Sequence, residues 1–337
     1  MKALIRDSLA ATLYAVGLTR PRRNQALYVA TFHRVLPEDE LADYPLPQLV
    51  VTPEELGWFL DFFARHFECG PLDGTYERWA AGRTFARPLL AITFDDGQGD
   101  NFLHARPVLE RAGVRATFFV PTEAVQQRTL LWHDRVGYVV HAWLRTRPEH
   151  AERAGADLGV PAATARSALP SAIVESLKHR TDTAREQWIA TQVEALGTEP
   201  FPAWDRMMRF DEIAQLAAEE HEIGSHSHSH PILTSLEDAK LDDEFTTSRR
   251  VLETHVGRAP TSFCYPNGNA DARVARAARA SGYLCAVTTA WGCNAPGADR
   301  FLLRRFDMQG ATARNRRGSL SPARVALRMS PFQPRPR

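Results

Sequence analysis

Short apolar runs alternate with amphipathic stretches over most of this chain. Runs rich in apolar residues and bounded by turn residues predict strands at about 26–35, 89–94, 115–120, 221–225, 262–265, 283–289 and 301–308. Apolar residues at helical spacing predict helices at about 53–66, 102–112, 211–220, 236–256 and 271–280. Helices that alternate with strands are typical of a parallel architecture, so an α/β fold is expected.

The alternation stops between residues 126 and 205. Strand patterns are absent there, Ala, Arg and Glu are frequent, and five prolines interrupt the stretch. We interpret it as a helical insertion on a core domain that spans residues 26–310, and not as a separate catalytic domain.

The first 25 residues contain a largely apolar run of ten residues, from Leu9 to Leu18. Arg6 and Asp7 interrupt its upstream side, and no convincing signal-peptide cleavage site follows. Ten residues are too few to span a bilayer, so an amphipathic helix is expected, which packs on the domain or lies on a membrane surface. A cytoplasmic protein, with or without peripheral membrane contact, is the resulting expectation.

The last part of the chain is strongly basic. From Arg300 onward there are ten arginines and a single acidic residue, Asp307. Several prolines accompany them, so residues 311–337 are expected to form a disordered basic tail. Such a tail is either a solvated terminus or a contact for a membrane or a polyanion.

Composition narrows the class of protein. The 337 residues are 44% apolar and 24% charged, with a formal net charge of +1. These values are typical of a folded globular protein, and they exclude a disordered chain, a collagen-like fibre and a disulfide-stapled miniprotein. The near-zero net charge argues against a nucleic-acid-binding surface. The four cysteines lack metal-type spacing and are expected to be buried apolar residues.

Two adjacent carboxylates follow one predicted strand, in the segment Thr93–Gly97 (T-F-D-D-G). The carboxyl ends of parallel strands are where α/β folds place their sites. Where the strand breaks into a glycine turn, Asp95 and Asp96 can converge on one cavity, one to hold a cation and the other to act as a base. A plain Asp-Gly turn explains the same residues equally well.

Three alternating histidines follow a second strand end, in the segment G-S-H-S-H-S-H-P that begins at Gly224. On an extended backbone, histidines two positions apart share a face, whereas on a helical turn His226 and His230 share one. Imidazoles combined with a carboxylate are the usual ligands of a catalytic Zn²⁺. A solvent-exposed polar loop is the competing interpretation.

Together these two segments resemble the polysaccharide deacetylases of carbohydrate esterase family 4, the chitooligosaccharide deacetylase homology domain. The family motif T-F-D-D-G is present unaltered at 93–97, and H-[S/T]-x-x-H followed by proline matches His226, Ser227, His230 and Pro231. The resemblance runs from about residue 26 to 308, with 126–205 as an unmatched insertion. It implies a distorted (β/α) barrel of the polysaccharide deacetylase type.

The resemblance also implies roles for these residues. Asp95 is the expected general base, and Asp96, His226 and His230 are the expected ligands of a divalent metal, most simply Zn²⁺. His228 falls on a variable position of the motif and is expected to line the pocket.

The third family motif differs here. Many members have R-P-P-Y-G, whereas this chain has C-Y-P-N-G at 264–268, as in exopolysaccharide deacetylases that use Y-P-x-G forms. Tyr265 and Asn267 are therefore expected in the pocket, and the backbone N–H of Asn267 is a candidate oxyanion donor. The arginine that usually steadies the base is missing, and Arg304 or Arg305 is expected to replace it.

The late histidine that commonly serves as general acid in the family is missing as well, since no histidine follows His255. His33, at the end of the first predicted strand, is the expected substitute. This placement resembles bacterial poly-N-acetylglucosamine deacetylases, whose acid lies near the N-terminus. A capping or core histidine is the alternative.

The expected function is metal-dependent removal of N-acetyl groups from amino sugars of an exopolysaccharide or cell-envelope glycan. The expected partner is therefore an acetylated glycan and not a nucleic acid. Three alternatives stay open: hydrolysis of another non-peptide C–N bond on the same fold, an inactive glycan-binding or assembly protein, and a nucleic-acid binder that acts through the basic tail, which only the arginine count favours.

Overall fold

The apolar runs form parallel strands in a computed structural model, which describes residues 2–19, 21 and 25–332, with side chains from residue 6 onward. The strands are β1 (Leu27–Phe32), β2 (Arg34–Val35), β3 (Val50–Val51), β4 (Glu68–Gly70), β5 (Leu89–Phe94), β6 (Thr117–Val120), β7 (Glu222–Ser225), β8 (Ser262–Cys264), β9 (Cys285–Trp291) and β10 (Leu303–Asp307). The helices are α1 (Lys2–Ala15), α2 (Glu38–Asp43), α3 (Pro53–His66), α4 (Leu72–Ala80), α5 (Arg106–Ala112), α6 (Thr122–Gln127), α7 (Trp132–Thr146), α8 (Pro148–Asp157), α9 (Leu169–Leu177), α10 (Asp182–Leu196), α11 (Phe210–Ala218), α12 (Asp238–Val256), α13 (Ala272–Ala280), α14 (Gly310–Ala313) and α15 (Pro322–Arg328).

Seven parallel strands close into a barrel in the order β1, β10, β9, β8, β7, β6, β5. Closure is made by β1 and β5, which pair in register from Leu27 opposite Leu89 to Phe32 opposite Phe94. The short β4 joins the beginning of β5. The predicted (β/α) barrel is confirmed. Because every strand points the same way, the residues that follow the strands meet at one end of the barrel.

The strands are buried on both faces, which explains their almost continuous apolar sequences. In β1, Leu27 and Val29 pack in the barrel interior with Phe119 and Leu303. The alternate residues of β1 belong to the outer core beneath α3 and α5. The period of two residues in a strand produces this division.

The predicted insertion, residues 126–205, contains α7 to α10 and, among the described residues, no strand. These helices enclose a second apolar core that includes Val136, Trp143 and Ile173. A buried guanidinium joins this core to the barrel: Arg34 lies 2.9 Å from the Asp100 carboxylate and 2.7 Å from that of Asp205.

The expectation of a disordered tail over 311–337 is wrong for the described part of it, residues 311–332. Here α15 buries Val325 and Ala326 in the outer core, α14 buries Ala313 there, and α15 packs against α1. The arginines are not simply solvated, since Arg314 pairs with Glu55 and Arg324 with Asp7. The apolar face of α15 and the acidic partners of the arginines therefore stabilise a folded segment, although its composition is basic. Residues 333–337 lie outside the described residues.

The predicted N-terminal helix is α1, which spans most of the apolar run. In the part of the chain that the structure describes, no helix combines the length and apolar character needed to cross a bilayer. Residues 1, 20 and 22–24 of the predicted segment 1–25 lie outside the described residues.

Candidate active site

The carboxylate of Asp95 lies directly after β5, buried at the end of the barrel. Arg305, in the middle of β10, which is separated from β5 by β1, donates to both oxygens of Asp95, with N–O distances of 2.8 and 2.7 Å. Burial alone would raise the pKa of Asp95, but the charge and hydrogen bonds of Arg305 hold that pKa below its ordinary value. Asp95 is therefore an ionised carboxylate whose orientation is fixed. Of the two arginines that were expected to replace the missing family arginine, Arg305 is the one that contacts Asp95.

The next residue, Asp96, faces the same cavity because its backbone leaves the strand conformation. Its φ of 73° lies in the left-handed region, followed by Gly97 at 62°. A non-glycine residue in that region carries local strain, which is found repeatedly at functional sites. The turn thus sets two neighbouring carboxylates side by side, as the T-F-D-D-G pattern predicted.

Two histidines from the loop after β7 converge on Asp96. The Nε2 atoms of His226 and His230 each lie 3.3 Å from Asp96 Oδ1, and 3.3 Å from one another. Burial of Asp96 would raise its pKa, but its close contacts with both imidazoles hold that pKa well below the ordinary value. Left-handed backbone at Ser227 and His230 makes the tight loop that gathers them.

The orientation of these imidazoles suits a metal. His226 donates from Nδ1 to the carbonyl of Cys264 at 2.8 Å, which leaves Nε2 as the atom that faces Asp96. Burial lowers the pKa of His230 to about 4, so this ring is neutral near pH 7. Neutral imidazole is the form that binds a metal.

Asp96, His226 and His230 place one ligand atom each within 4.8 Å of one another. Two imidazoles and one carboxylate form a known donor set for a catalytic Zn²⁺ with an open position. Asp95, His226 and Cys264 are equally close together. However, Arg305 occupies both oxygens of Asp95, and burial raises the pKa of the Cys264 thiol, so the first set fits a divalent cation better.

The structure places His33 beside this centre, between β1 and β2. Its Nε2 lies 3.9 Å from Asp95 Oδ2, and its side chain is 21% exposed. His33 lines the same cavity as Asp96 and His230. It is thus within reach of a substrate that lies over Asp95.

The remaining predicted residues separate into two groups. Tyr265 and Asn267 line the cavity, although the Tyr265 hydroxyl donates to the carbonyl of Phe301 and is turned away. Arg304 is exposed and hydrogen bonds to the carbonyl of Trp291, so it does not reach Asp95.

His228 is a correction, because it does not line the cavity. Its Nδ1 lies 2.8 Å from Thr122 Oγ1, and its backbone N–H donates to Glu244. The tight loop turns this middle histidine away from its two neighbours, so the pocket position expected for it is wrong.

Sequence reasoning missed His133, which the insertion brings to the centre from α7. Its Nε2 lies 3.7 Å from Asp96 Oδ2 and 3.6 Å from Asp134 Oδ2. Asp134 is wholly buried and accepts hydrogen bonds from Tyr44 and Gln98 at 2.5 and 2.6 Å. The only available signal was the polar pair His133–Asp134 within an otherwise amphipathic helix.

A cavity of about 220 Å³ lies over these groups. Its floor is formed by the strand-end residues, and its walls come from the insertion and from loops around the barrel. Trp132 of α7, Val174 of α9 and Ile232 after β7 are among the apolar residues of that wall. Pockets for drug-sized ligands measure roughly 300–1,000 Å³, so this cavity suits a smaller ligand.

The family model described as polysaccharide deacetylase matches residues 82–162 and 177–286, which is more than half of the chain. The chain belongs to the polysaccharide deacetylase family. It is accordingly a hydrolase of the deacetylase type that acts on a glycan.

The match also corrects the expected limits of the resemblance. Residues 126–162 and 177–205 fall inside the matched ranges. Most of the predicted insertion therefore belongs to the part of the chain that matches the polysaccharide deacetylase family, and the expectation of an unmatched insertion is wrong for these residues. Only residues 163–176, which include most of α9, lie between the two ranges.

Solved structures share the fold at low sequence identity. The deacetylase PplD of Streptococcus pyogenes, solved with acetate, has a TM-score of 0.59 at 14% identity, over 91% of this chain and 99% of its own. IcaB from Ammonifex degensii has 0.56 at 16%, over 89% and 95%. The BpsB deacetylase domain from Bordetella bronchiseptica has 0.52 at 16%, over 86% and 98%. No curated protein matches the chain in sequence.

Proposed function

We propose that this polysaccharide deacetylase hydrolyses the N-acetyl group of an amino sugar in a metal-dependent reaction. One observation carries the proposal: the ligand atoms of Asp96, His226 and His230 lie within 4.8 Å of one another, next to Asp95, whose two oxygens are held by Arg305. A cation site and a fixed carboxylate at one strand-end cavity are what amide hydrolysis requires.

A divalent cation, most simply Zn²⁺, supplies a polarised carbonyl and a water of lowered pKa when it is bound. The residues of the chain perform the remaining tasks. Asp95 accepts the proton of the attacking water, because it is ionised and its orientation is fixed by Arg305. The backbone N–H of Asn267, in a left-handed turn beside the cavity, is the proposed donor to the developing oxyanion.

His33 donates the proton that the departing amine needs. Its Nε2 is 3.9 Å from Asp95 Oδ2, so the base and the acid flank the same point of the cavity. The C–N bond breaks, the proton from His33 goes to nitrogen, and acetate and a free amino sugar are formed.

The substrate we propose is an acetylated amino-sugar glycan of an exopolysaccharide or the cell envelope. PplD, a deacetylase with the same fold, is in complex with acetate, which would be one product of the reaction that we propose. The cavity of about 220 Å³ beside Asp96, His226 and His230 supports a substrate group of about the size of one acetamido sugar.

Acetate release from N-acetylated oligosaccharides, measured beside ring opening of small cyclic amides and hydrolysis of small linear amides, tests the proposal. We expect acetate from the sugars only, accompanied by a free amine on the product. Preferential cleavage of a small cyclic amide would instead support another C–N hydrolase. Saturable glycan binding without product would support a binding or assembly protein.

A further inference from the structure

His133, in the first turn of α7, approaches the carboxylate of the proposed cation site from the insertion. Its Nε2 lies 3.7 Å from Asp96 Oδ2, whereas His226 and His230 make their closest approach to Asp96 Oδ1, at 3.3 Å each. The two oxygens of Asp96 therefore have different neighbours. The mechanism gives no task to His133, although its side chain is only 12% exposed and lines the cavity.

A second buried carboxylate contacts the same ring nitrogen. His133 Nε2 lies 3.6 Å from Asp134 Oδ2. Asp134 is wholly buried, and hydrogen bonds from Tyr44 and Gln98 hold its two oxygens at 2.5 and 2.6 Å. Because Asp134 is fixed on both oxygens, it is an anchor for the imidazole, which lies between Asp134 and Asp96.

The turn that carries Asp96 is tied to α7 at two neighbouring positions. Gln98, two residues after Asp96, is completely buried and donates from Nε2 to Asp134 Oδ2. Asp96 and Gln98 thus face His133 and Asp134, which are consecutive residues of one helix. The insertion therefore contacts the turn after β5 through a polar cluster, and not only through the apolar wall of the cavity.

We propose that His133 is a positioning residue of the metal site, which orients Asp96 through Oδ2 and leaves Oδ1 to the cation. This inference rests on the proposed function, because it requires Asp96, His226 and His230 to hold the cation. Carboxylate ligands of metals are commonly oriented by a hydrogen-bond partner behind them. The separation of 3.7 Å is less than about 1 Å longer than an ordinary N–H···O hydrogen bond, so a small shift of the ring closes it.

Zinc affinity of the full-length protein, measured by competition with a zinc indicator, tests this role. The test variants are His133→Ala, which removes the contact, and His133→Gln, whose amide N–H groups can still donate to a carboxylate. The matched control is His141→Ala, which removes a half-buried histidine from the same helix, about two turns further along and away from the cavity.

We expect His133→Ala to weaken zinc binding by about 10–100-fold. His133→Gln and His141→Ala should bind zinc nearly as well as wild type, and all three variants should keep most of their kcat when zinc is saturating. A positioning role predicts this rescue by the amide, since an amide N–H can orient a carboxylate but is not a zinc ligand.

Tight zinc binding by wild type and equally tight binding by His133→Ala would overturn this inference and leave the proposed function intact. Equal losses in His133→Ala and His141→Ala would overturn it as well, because they would reflect the packing of α7. A loss in His133→Gln as large as in His226→Ala would make His133 a ligand instead of a positioning residue. No zinc binding by wild type would overturn both this inference and the proposed function.

Discussion

Asp95 and Asp96 carry the same side chain in adjacent positions, yet their surroundings divide the work between them. Arg305 holds both oxygens of Asp95, whereas two imidazoles face one oxygen of Asp96. One carboxylate is thereby kept as an oriented base, and the other is left as a ligand for a cation.

Zinc affinity should separate the three neighbouring histidines. His226→Ala and His230→Ala each remove a ligand atom, so both should weaken zinc binding by more than the roughly 10–100-fold that is typical when a group that only orients a ligand is removed. His228→Ala is the matched control, because its ring contacts Thr122 outside the cavity. Equal losses in all three variants, measured by competition with a zinc indicator, would contradict the ligand assignment.

His33→Ala should lower kcat by about 10²–10⁴-fold, because the amine would leave without a positioned proton donor. Zinc stoichiometry should not change, since His33 faces Asp95 and not Asp96 Oδ1. Steady-state kinetics and metal analysis on the same preparation check both expectations. An unchanged kcat would move the acid role to another group, of which His133 is the nearest to the metal ligands.

Arg305→Lys should move the acidic limb of the pH–kcat/KM profile to higher pH. Arg305 lowers the pKa of Asp95, and a lysine cannot make the paired hydrogen bonds of a guanidinium. The pKa of Asp95 then rises, by up to about one unit, and the base is lost at a higher pH. Arg304→Lys is the control, because Arg304 is exposed. Identical profiles for both variants and wild type would show that Arg305 does not tune the base.

At the scale of elements, strand ends explain why much of the site could be predicted. The two acids and the outer two histidines follow β5 and β7, and parallel strands bring such positions together whatever the helices do. His133 could not be predicted in the same way. It reaches Asp96 only because α7 folds back over the barrel, a tertiary placement that no local pattern in the helix specifies.

At the scale of a single strand, one buried carboxyl group makes the stability of the fold depend on pH. This group is Glu222, which is buried at the start of β7. Burial, together with the nearby charge of Asp73, raises the pKa of Glu222 to about 7. The unfolded value is 4.5, so the folded state binds this proton more tightly. The contribution of protonated Glu222 to the free energy of unfolding is therefore fully present below pH 4.5, and it is lost as the pH rises through about 7.

Glu222→Gln should remove this pH dependence, because the amide stays neutral while its oxygen can still accept from Thr117. The free energy of unfolding of the variant, minus that of wild type, should rise by up to about 3 kcal/mol when the pH is raised from 4.5 to 8. Urea denaturation at both pH values measures this gain, and Glu253→Gln on the exposed side of α12 is the control. A difference that is constant with pH would contradict the raised pKa.

At the scale of the whole molecule, the amino-acid composition predicted the structure less well than the order of strands and helices along the chain did. The alternation of strands and helices predicted the barrel, whereas arginine content wrongly predicted disorder for residues 311–332. The fate of those arginines depends on acids far away in sequence, Asp7 and Glu55, which only the fold brings to them. The same holds for Arg34, whose partners Asp100 and Asp205 connect the barrel to the insertion.

The central claim is that a metal centre and Asp95 together hydrolyse an N-acetyl group. The most direct measurement is acetate release from an N-acetylated oligosaccharide by wild type and by Asp95→Asn, each after chelation and after zinc is restored. We predict release by wild type that chelation abolishes and zinc restores. Asp95→Asn should bind zinc equally well but lose at least about 10²-fold in rate. Wild-type rates from the zinc-loaded variant, or release that withstands complete chelation, would contradict the account.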